Sequence, residues 1–286
     1  MTALILEGGG MRTAFTAGVL DYFIDRQLTF NNIIGVSTGA YCALSYLSKQ
    51  RERTINLYLS FCKDMRYRNP VGMLGILRGR GKNIASILED DDNGTPFNYE
   101  QYLNNEASLT AVATNCITGE ATYFPTKDLG ADKKYAITSA SFPLISSTME
   151  IGGIPFLDGC ITDPLSVEYA LKQGYKKYIF ILTEDRAYYK DKTSMLRLIR
   201  KKYRQYPSLI EAFECQHIRY NQQLEMVYCL ERMGQALILQ PNQTKVSVFE
   251  KNPRKVYDLY HEGYFTALKN YDTIINYTSS DSKPNV

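Results

Sequence analysis

The 286-residue chain has no tryptophan, only two histidines and no cysteine pair spaced as C-x-x-C. His217 and His261 lie far apart, and Cys42, Cys62, Cys116, Cys160, Cys215 and Cys229 are scattered. The clustered Cys and His ligands of a structural zinc site are therefore missing, and no metal or other cofactor is expected. No apolar run approaches the ~18 residues that mark a membrane-spanning helix. Neither sign of charge dominates: 33 Lys+Arg face 30 Asp+Glu, a net of +3. Without a basic excess, a protein built mainly to bind nucleic acid is excluded. The first seven residues lack a basic leader and read as a buried strand, so the cysteines are expected to be reduced thiols of a cytoplasmic protein.

What is present is ordinary globular composition, 44% hydrophobic and 22% charged, which excludes a disordered or fibrous chain. The length allows one large domain or one domain with a modest appendage. Residues 3–7 form a short apolar run that stops at Gly8-Gly9-Gly10. Phe15, Val19, Leu20, Phe23 and Ile24 follow at helical spacing. A second short strand, residues 31–36, turns at Ser37-Thr38-Gly39 into an apolar helix over 40–50. Strand, glycine turn and helix thus occur twice, which predicts an α/β fold with a parallel sheet wound by helices. Residues 66–100 read as an inserted excursion, and 109–115 and 121–124 resume the strand pattern. A hairpin about Gly152-Gly153 delivers Asp158 to a strand end. Helix over 166–173 and strand over 178–182 follow. Beyond residue 184 the texture is helical, with helices expected over 194–203, 208–234 and 253–276, interrupted by the apolar run 236–239. The expected divisions are 1–184, a helical region 185–277 and a polar tail 278–286.

Three motifs carry candidate chemistry. Gly35-Val36-Ser37-Thr38-Gly39 is a G-x-S-x-G set between a strand and a helix, the setting that lifts a serine hydroxyl clear of a sheet. The bland reading is a helix-capping serine. Gly8-Gly9-Gly10-Met11-Arg12 exposes backbone N–H groups after a strand, suited to a phosphate or a developing oxyanion. It is neither G-x-G-x-x-G, because Thr13 stands at the last position, nor a P-loop; a ligand-free tight turn is its alternative. Asp158-Gly159-Cys160 closes a strand, and its carboxylate could face the serine as a base if partly desolvated. An Asp-Gly turn is the competing reading.

Taken together these motifs resemble the patatin-like phospholipase family, bacterial type, over residues 3–182. The family's glycine loop ending in a basic residue, its G-x-S-x-G and its D-G-G/A motif correspond to the three stretches above. Ser139-Ala140-Ser141-Phe142-Pro143 resembles the stretch that precedes its aspartate. Cys160 departs from the family's usual Gly or Ala. The resemblance implies a three-layer fold with a mainly parallel sheet flanked by helices, here with an appended helical C-terminal region. It implies a serine acyl hydrolase with a Ser37–Asp158 dyad, Ser37 as nucleophile and Asp158 as proton acceptor. Gly8, Gly9, Gly10 and Met11 would form the oxyanion loop, supported by Arg12, Gly35, Gly39 and Gly159. Arg12 would orient the loop or meet a lipid phosphate. The implied substrate is a lipid or other acyl ester.

Rival readings are an α/β-hydrolase triad of Ser37, Asp158 and His217 or His261, a cysteine nucleophile at Cys116 or Cys160 with His217, and a non-catalytic lipid-binding or scaffolding protein. Residues 66–82 and 196–203 mix basic and apolar side chains. A solvated basic helix face packed by its apolar side is the favoured reading of each, and peripheral contact with an anionic membrane or a lid over the acyl pocket is the alternative.

Overall fold

The computed structural model describes residues 1–63, 96–126 and 132–279. The basic stretch 66–82 and the acidic turn after it lie outside the described residues, as does the tail from 280 onward. The chain opens with β1 (Thr2–Leu6), a 3-10 turn (Gly10–Thr13) and α1 (Ala14–Asp25). It repeats that unit with β2 (Asn32–Val36) and α2 (Thr38–Leu47), followed by α3 (Arg53–Lys63). A short α4 (Tyr99–Leu103) precedes β3 (Ser108–Asn115) and β4 (Ala121–Thr126), and α5 (Asp132–Ser139) leads into the hairpin β5 (Met149–Ile151) and β6 (Ile154–Asp158). The remainder is α6 (Val167–Lys172), β7 (Lys177–Ile181), α7 (Leu196–Lys202), α8 (Pro207–Arg232), β8 (Ala236–Leu239), α9 (Pro253–Lys269) and α10 (Tyr271–Ser279).

Among the described residues the strands join one sheet in the order β5-β6-β3-β2-β1-β7-β8, with β4 also paired to β3. From β3 through β8 the pairings are parallel, as two early strand–helix units require. The central strands are buried on both faces, which is why they read as continuous apolar runs. Leu4 and Leu6 of β1 pack with Phe15 and Leu44 on one side, whereas Ala3 and Ile5 pack with Leu224 and Val227 of α8 on the other. Helices thus cover both faces of the sheet, the three-layer α/β arrangement expected.

The register at β3 sets up the site. β4 occupies one edge of β3 over Leu109 to Thr114, so β2 and β6 must share the other edge. β2 runs parallel there up to Val36 opposite Val112. β6 runs antiparallel from Asp158 opposite Ala113. Two strands therefore end head to head at neighbouring positions of β3, one just before Ser37 and the other on Asp158.

The C-terminal region is helical, with one strand that completes the sheet: the apolar run Ala236-Leu237-Ile238-Leu239 is β8, parallel to β7. The single helix expected over 253–276 is two helices broken at Asn270. Its side chain caps Thr266 O, and Ile274 of the second helix is fully buried.

Candidate active site

Ser37 occupies the turn between β2 and α2 with φ 55° and ψ −134°. This is a left-handed conformation a side chain rarely adopts, and it persists only where the surroundings hold it. Here they do. A Cβ on Gly35 would stand 2.5 Å from Ala40 Cα, and one on Gly39 would stand 2.6 Å from Leu6 O, so neither flanking position admits a side chain. The backbone N–H of Ser37 donates to Ser139 Oγ at 2.7 Å, and Ser139 Oγ donates to Val112 O. The stretch that resembles the family's pre-aspartate segment thereby anchors the serine backbone. It anchors the acid too, since Asp158 N donates to Ser141 O at 3.1 Å.

Ser37 Oγ donates to Asp158 Oδ2 at 2.7 Å. The other carboxylate oxygen accepts from Cys160 N at 2.9 Å, and the Cys160 thiol also acts on the carboxylate, so the residue that departs from the family pattern meets the acid through both backbone and side chain. Gly159 packs against Val112 O, where a Cβ would collide. Asp158 is fully buried and Ser37 is 6% exposed. Burial pushes the Asp158 carboxyl above the ordinary carboxylate range; the Cys160 thiol, the Ser37 hydroxyl, the Cys160 amide and the Lys190 charge pull it back only in part.

The glycine loop lies directly over the serine: a Cβ on Gly8 would stand 2.5 Å from Ser37 Cβ. The Gly9 and Gly10 amides converge on one oxygen, Thr38 Oγ1, at 3.3 and 3.0 Å. The Met11 amide instead donates to Val248 O at 3.0 Å. Of the four residues expected at an oxyanion loop, Met11 thus commits its donor elsewhere. Arg12, which follows the loop, forms an ion pair with buried Glu184 just beyond β7. Glu7, at the end of β1, accepts from Thr183 N at 2.6 Å and Tyr220 Oη at 2.8 Å. Thr183 Oγ1 in turn donates to Gly8 O at 2.9 Å. Thr183 and Val248 had no motif to flag them; Thr38 and Ser139 lay within quoted motifs, but the roles of their hydroxyls did not show, because each acts on a partner distant in sequence.

Two cavities meet at Ser37. The larger, about 420 Å³, is bordered by Gly8, Gly9, Arg12, Phe142, Cys160 and the segment after β7 that carries Tyr188 and Lys190. The smaller, about 40 Å³, is an apolar slot walled by Met11, Phe61, Phe142, Val248 and Phe249, with Asp158 at its base. The larger volume lies within the range of small-molecule sites. Neither histidine lines either cavity. His217 sits half-buried on α8, and His261 lies among the Tyr257, Tyr260 and Phe265 rings on α9. Burial holds both candidate thiols protonated: Cys116 is pushed up to about 12, and Cys160 rises well above its ordinary value, further raised by Asp158. A thiol nucleophile needs the opposite shift.

A family model described as patatin-like phospholipase matches residues 4–171, which takes in the glycine loop, Ser37 and Asp158. The chain belongs to the patatin-like phospholipase family. A second model, a domain of unknown function (DUF6363), matches residues 206–279, the stretch from α8 to α10. Among curated proteins, this patatin-like chain is 29% identical over 189 residues to the uncharacterized protein YjjU of Escherichia coli (strain K12). That match covers 63% of this chain and 51% of the relative, so the chain spans about half the length of the curated protein it matches. Among solved structures, VipD from Legionella pneumophila is similar over 95% of this chain and 67% of that one, with a TM-score of 0.49 and 13% identity. Among the described residues no helix is long and apolar enough to cross a membrane.

Proposed function

We propose that this protein is a serine acyl hydrolase that cleaves carboxylic esters of lipids, with Ser37 as nucleophile and Asp158 as the only base. The observation that carries this reading is the 2.7 Å bond from Ser37 Oγ to Asp158 Oδ2, in a buried site whose cavities no histidine lines. Membership of the patatin-like phospholipase family supports a lipid ester as the substrate class.

In the proposed reaction Asp158 takes the Ser37 proton as Oγ attacks the ester carbon, and the carbonyl electron pair becomes the oxyanion. Collapse of that intermediate breaks the ester C–O bond, and the departing alkoxide takes the proton from Asp158. Water, deprotonated by the same carboxylate, then attacks the acyl-enzyme; the acid product leaves and Ser37 regains its proton. A serine hydroxyl is a weak nucleophile without such a partner. A carboxyl raised by burial is better matched to the task than an exposed one. The Gly9 and Gly10 amides already converge on a single oxygen, Thr38 Oγ1. For the oxyanion to use these two donors the Thr38 hydroxyl must give them up as the ester binds, and each well-placed donor then contributes ~3–4 kcal/mol.

Labelling with a serine-directed fluorophosphonate, followed by peptide mapping, tests the assignment. The expected adduct is on Ser37, absent from Ser37→Ala protein. An adduct on another residue, or none while ester hydrolysis proceeds, overturns it.

A further inference from the structure

The segment that borders the larger cavity is also the most basic stretch among the described residues. Residues 185–204 carry eight Lys or Arg against two Asp, a net of +6 in a chain whose total is +3. Arg186 pairs with Glu231 and Arg200 with Glu214, and Lys202 Nζ donates to Leu144 O and Ser146 O. Lys192, Arg197 and Lys201 are exposed, and none of them forms an ion pair among the described residues. On α7, Arg197 and Lys201 stand one turn apart, on the side opposite buried Ile199. Like charges at that spacing destabilise an isolated helix, a cost that an opposing anionic surface removes.

The same segment also exposes apolar side chains among its cations. Tyr189 is 70% exposed, Leu198 58% and Met195 38%. Tyr189 and Met195 also line the cavity that opens on Ser37, so they stand at its mouth. Aromatic and aliphatic side chains flanked by cations are the composition of an interfacial anchor.

We infer that residues 189–201 form a docking surface for an anionic bilayer, which seats the mouth of the Ser37 cavity against the lipid. Tyr189, Met195 and Leu198 enter the headgroup boundary while Lys192, Arg197 and Lys201 meet acidic headgroups. The inference rests on the reading of Ser37 as the nucleophile of a lipid ester hydrolase, but its test reads binding alone. The full chain carrying Ser37→Ala, which leaves vesicles intact, is co-sedimented with phosphatidylcholine vesicles and with phosphatidylcholine–phosphatidylglycerol vesicles. The expected result is recovery with the anionic vesicles, weakened by added salt. Arg197→Glu with Lys201→Glu in the same background weakens that binding by at least roughly tenfold, given the attraction of each cation to an acidic leaflet. Leu198→Ser weakens it independently of charge. Protein left in the supernatant with both vesicle types overturns the inference, as does charge-reversed protein that binds like its parent, or binding to duplex DNA but not to vesicles. Fluorophosphonate labelling of Ser37 alongside absent vesicle binding would sink the docking surface and leave the hydrolase reading standing.

Discussion

Asp158 keeps its carboxylate fully out of water, and the consequences reach both activity and stability. Burial raises its pKa above the ordinary range, so the folded chain holds this proton more tightly than the unfolded chain does. Between the unfolded and folded values the folded state binds more protons, and stability therefore falls as pH rises through that window. Below about pH 4 both states are protonated and the penalty vanishes. An asparagine in this place can still accept from Cys160 N, and it does not titrate. Asp158→Asn is accordingly expected to melt at a higher temperature than wild type at neutral pH, with the margin narrowing on acidification. Thermal melts across pH check this; a margin that widens toward acid contradicts it. In the proposed mechanism Asp158 must be ionised to work, so ester turnover of the wild type is expected to fall as pH drops through the same raised value. Ser37 and Asp158 were legible because each stands in a short motif at a strand end. Thr38 and Ser139 stood in quoted motifs, but their roles were not legible, because a hydroxyl that binds an amide of another segment leaves no local pattern.

At the scale of elements, α1 and α9 approach so closely that each places a glycine against the other's backbone. A Cβ on Gly18 would collide with Tyr260 O, and one on Gly263 with Phe15 O. Tyr260 Oη also donates to Asp21 Oδ2 at 2.8 Å, which fixes the crossing. Alanine is the better helix former by ~1 kcal/mol, but overpacking costs ~1–3 kcal/mol or more when backbone must move. Steric cost prevails here because the atom met is a carbonyl oxygen held in a helix. Gly18→Ala and Gly263→Ala should each lower Tm by roughly 2–6 °C in a chain of this size; an unchanged or higher Tm would mean that the helices do not pack this tightly. Strand–glycine–helix repeats made β1, β2 and their helices readable, since periodicity and turn residues are local. The break at Asn270 was not readable, because the sequence on both sides is helical and only the burial of Ile274 and the bond from Tyr277 Oη to Gln235 O decide it.

At the scale of the molecule, the fold brings together strand ends 121 residues apart in sequence by ending β2 and β6 head to head on one edge of β3. Chain order alone indicated a parallel sheet but not that shared edge, which depends on β4 occupying the opposite side. The C-terminal stretch matched by the model of unknown function contributes β8 to the sheet and α9 to the core, and α8 supplies Tyr220 to Glu7 beneath the glycine loop. The two regions therefore share one hydrophobic core, and loss of the C-terminal elements would reach Ser37 through the loop. The central claim, that a lone carboxylate serves this serine, is tested most directly by kcat on a soluble chromogenic ester. Asp158→Asn is expected to lose at least roughly a thousandfold, as do members of other serine hydrolase catalytic sets, while His217→Ala combined with His261→Ala stays within about twofold, inside the scatter expected of residues remote from a site. Full activity in Asp158→Asn, or collapse of activity in the histidine double variant with its fold intact, would contradict the account.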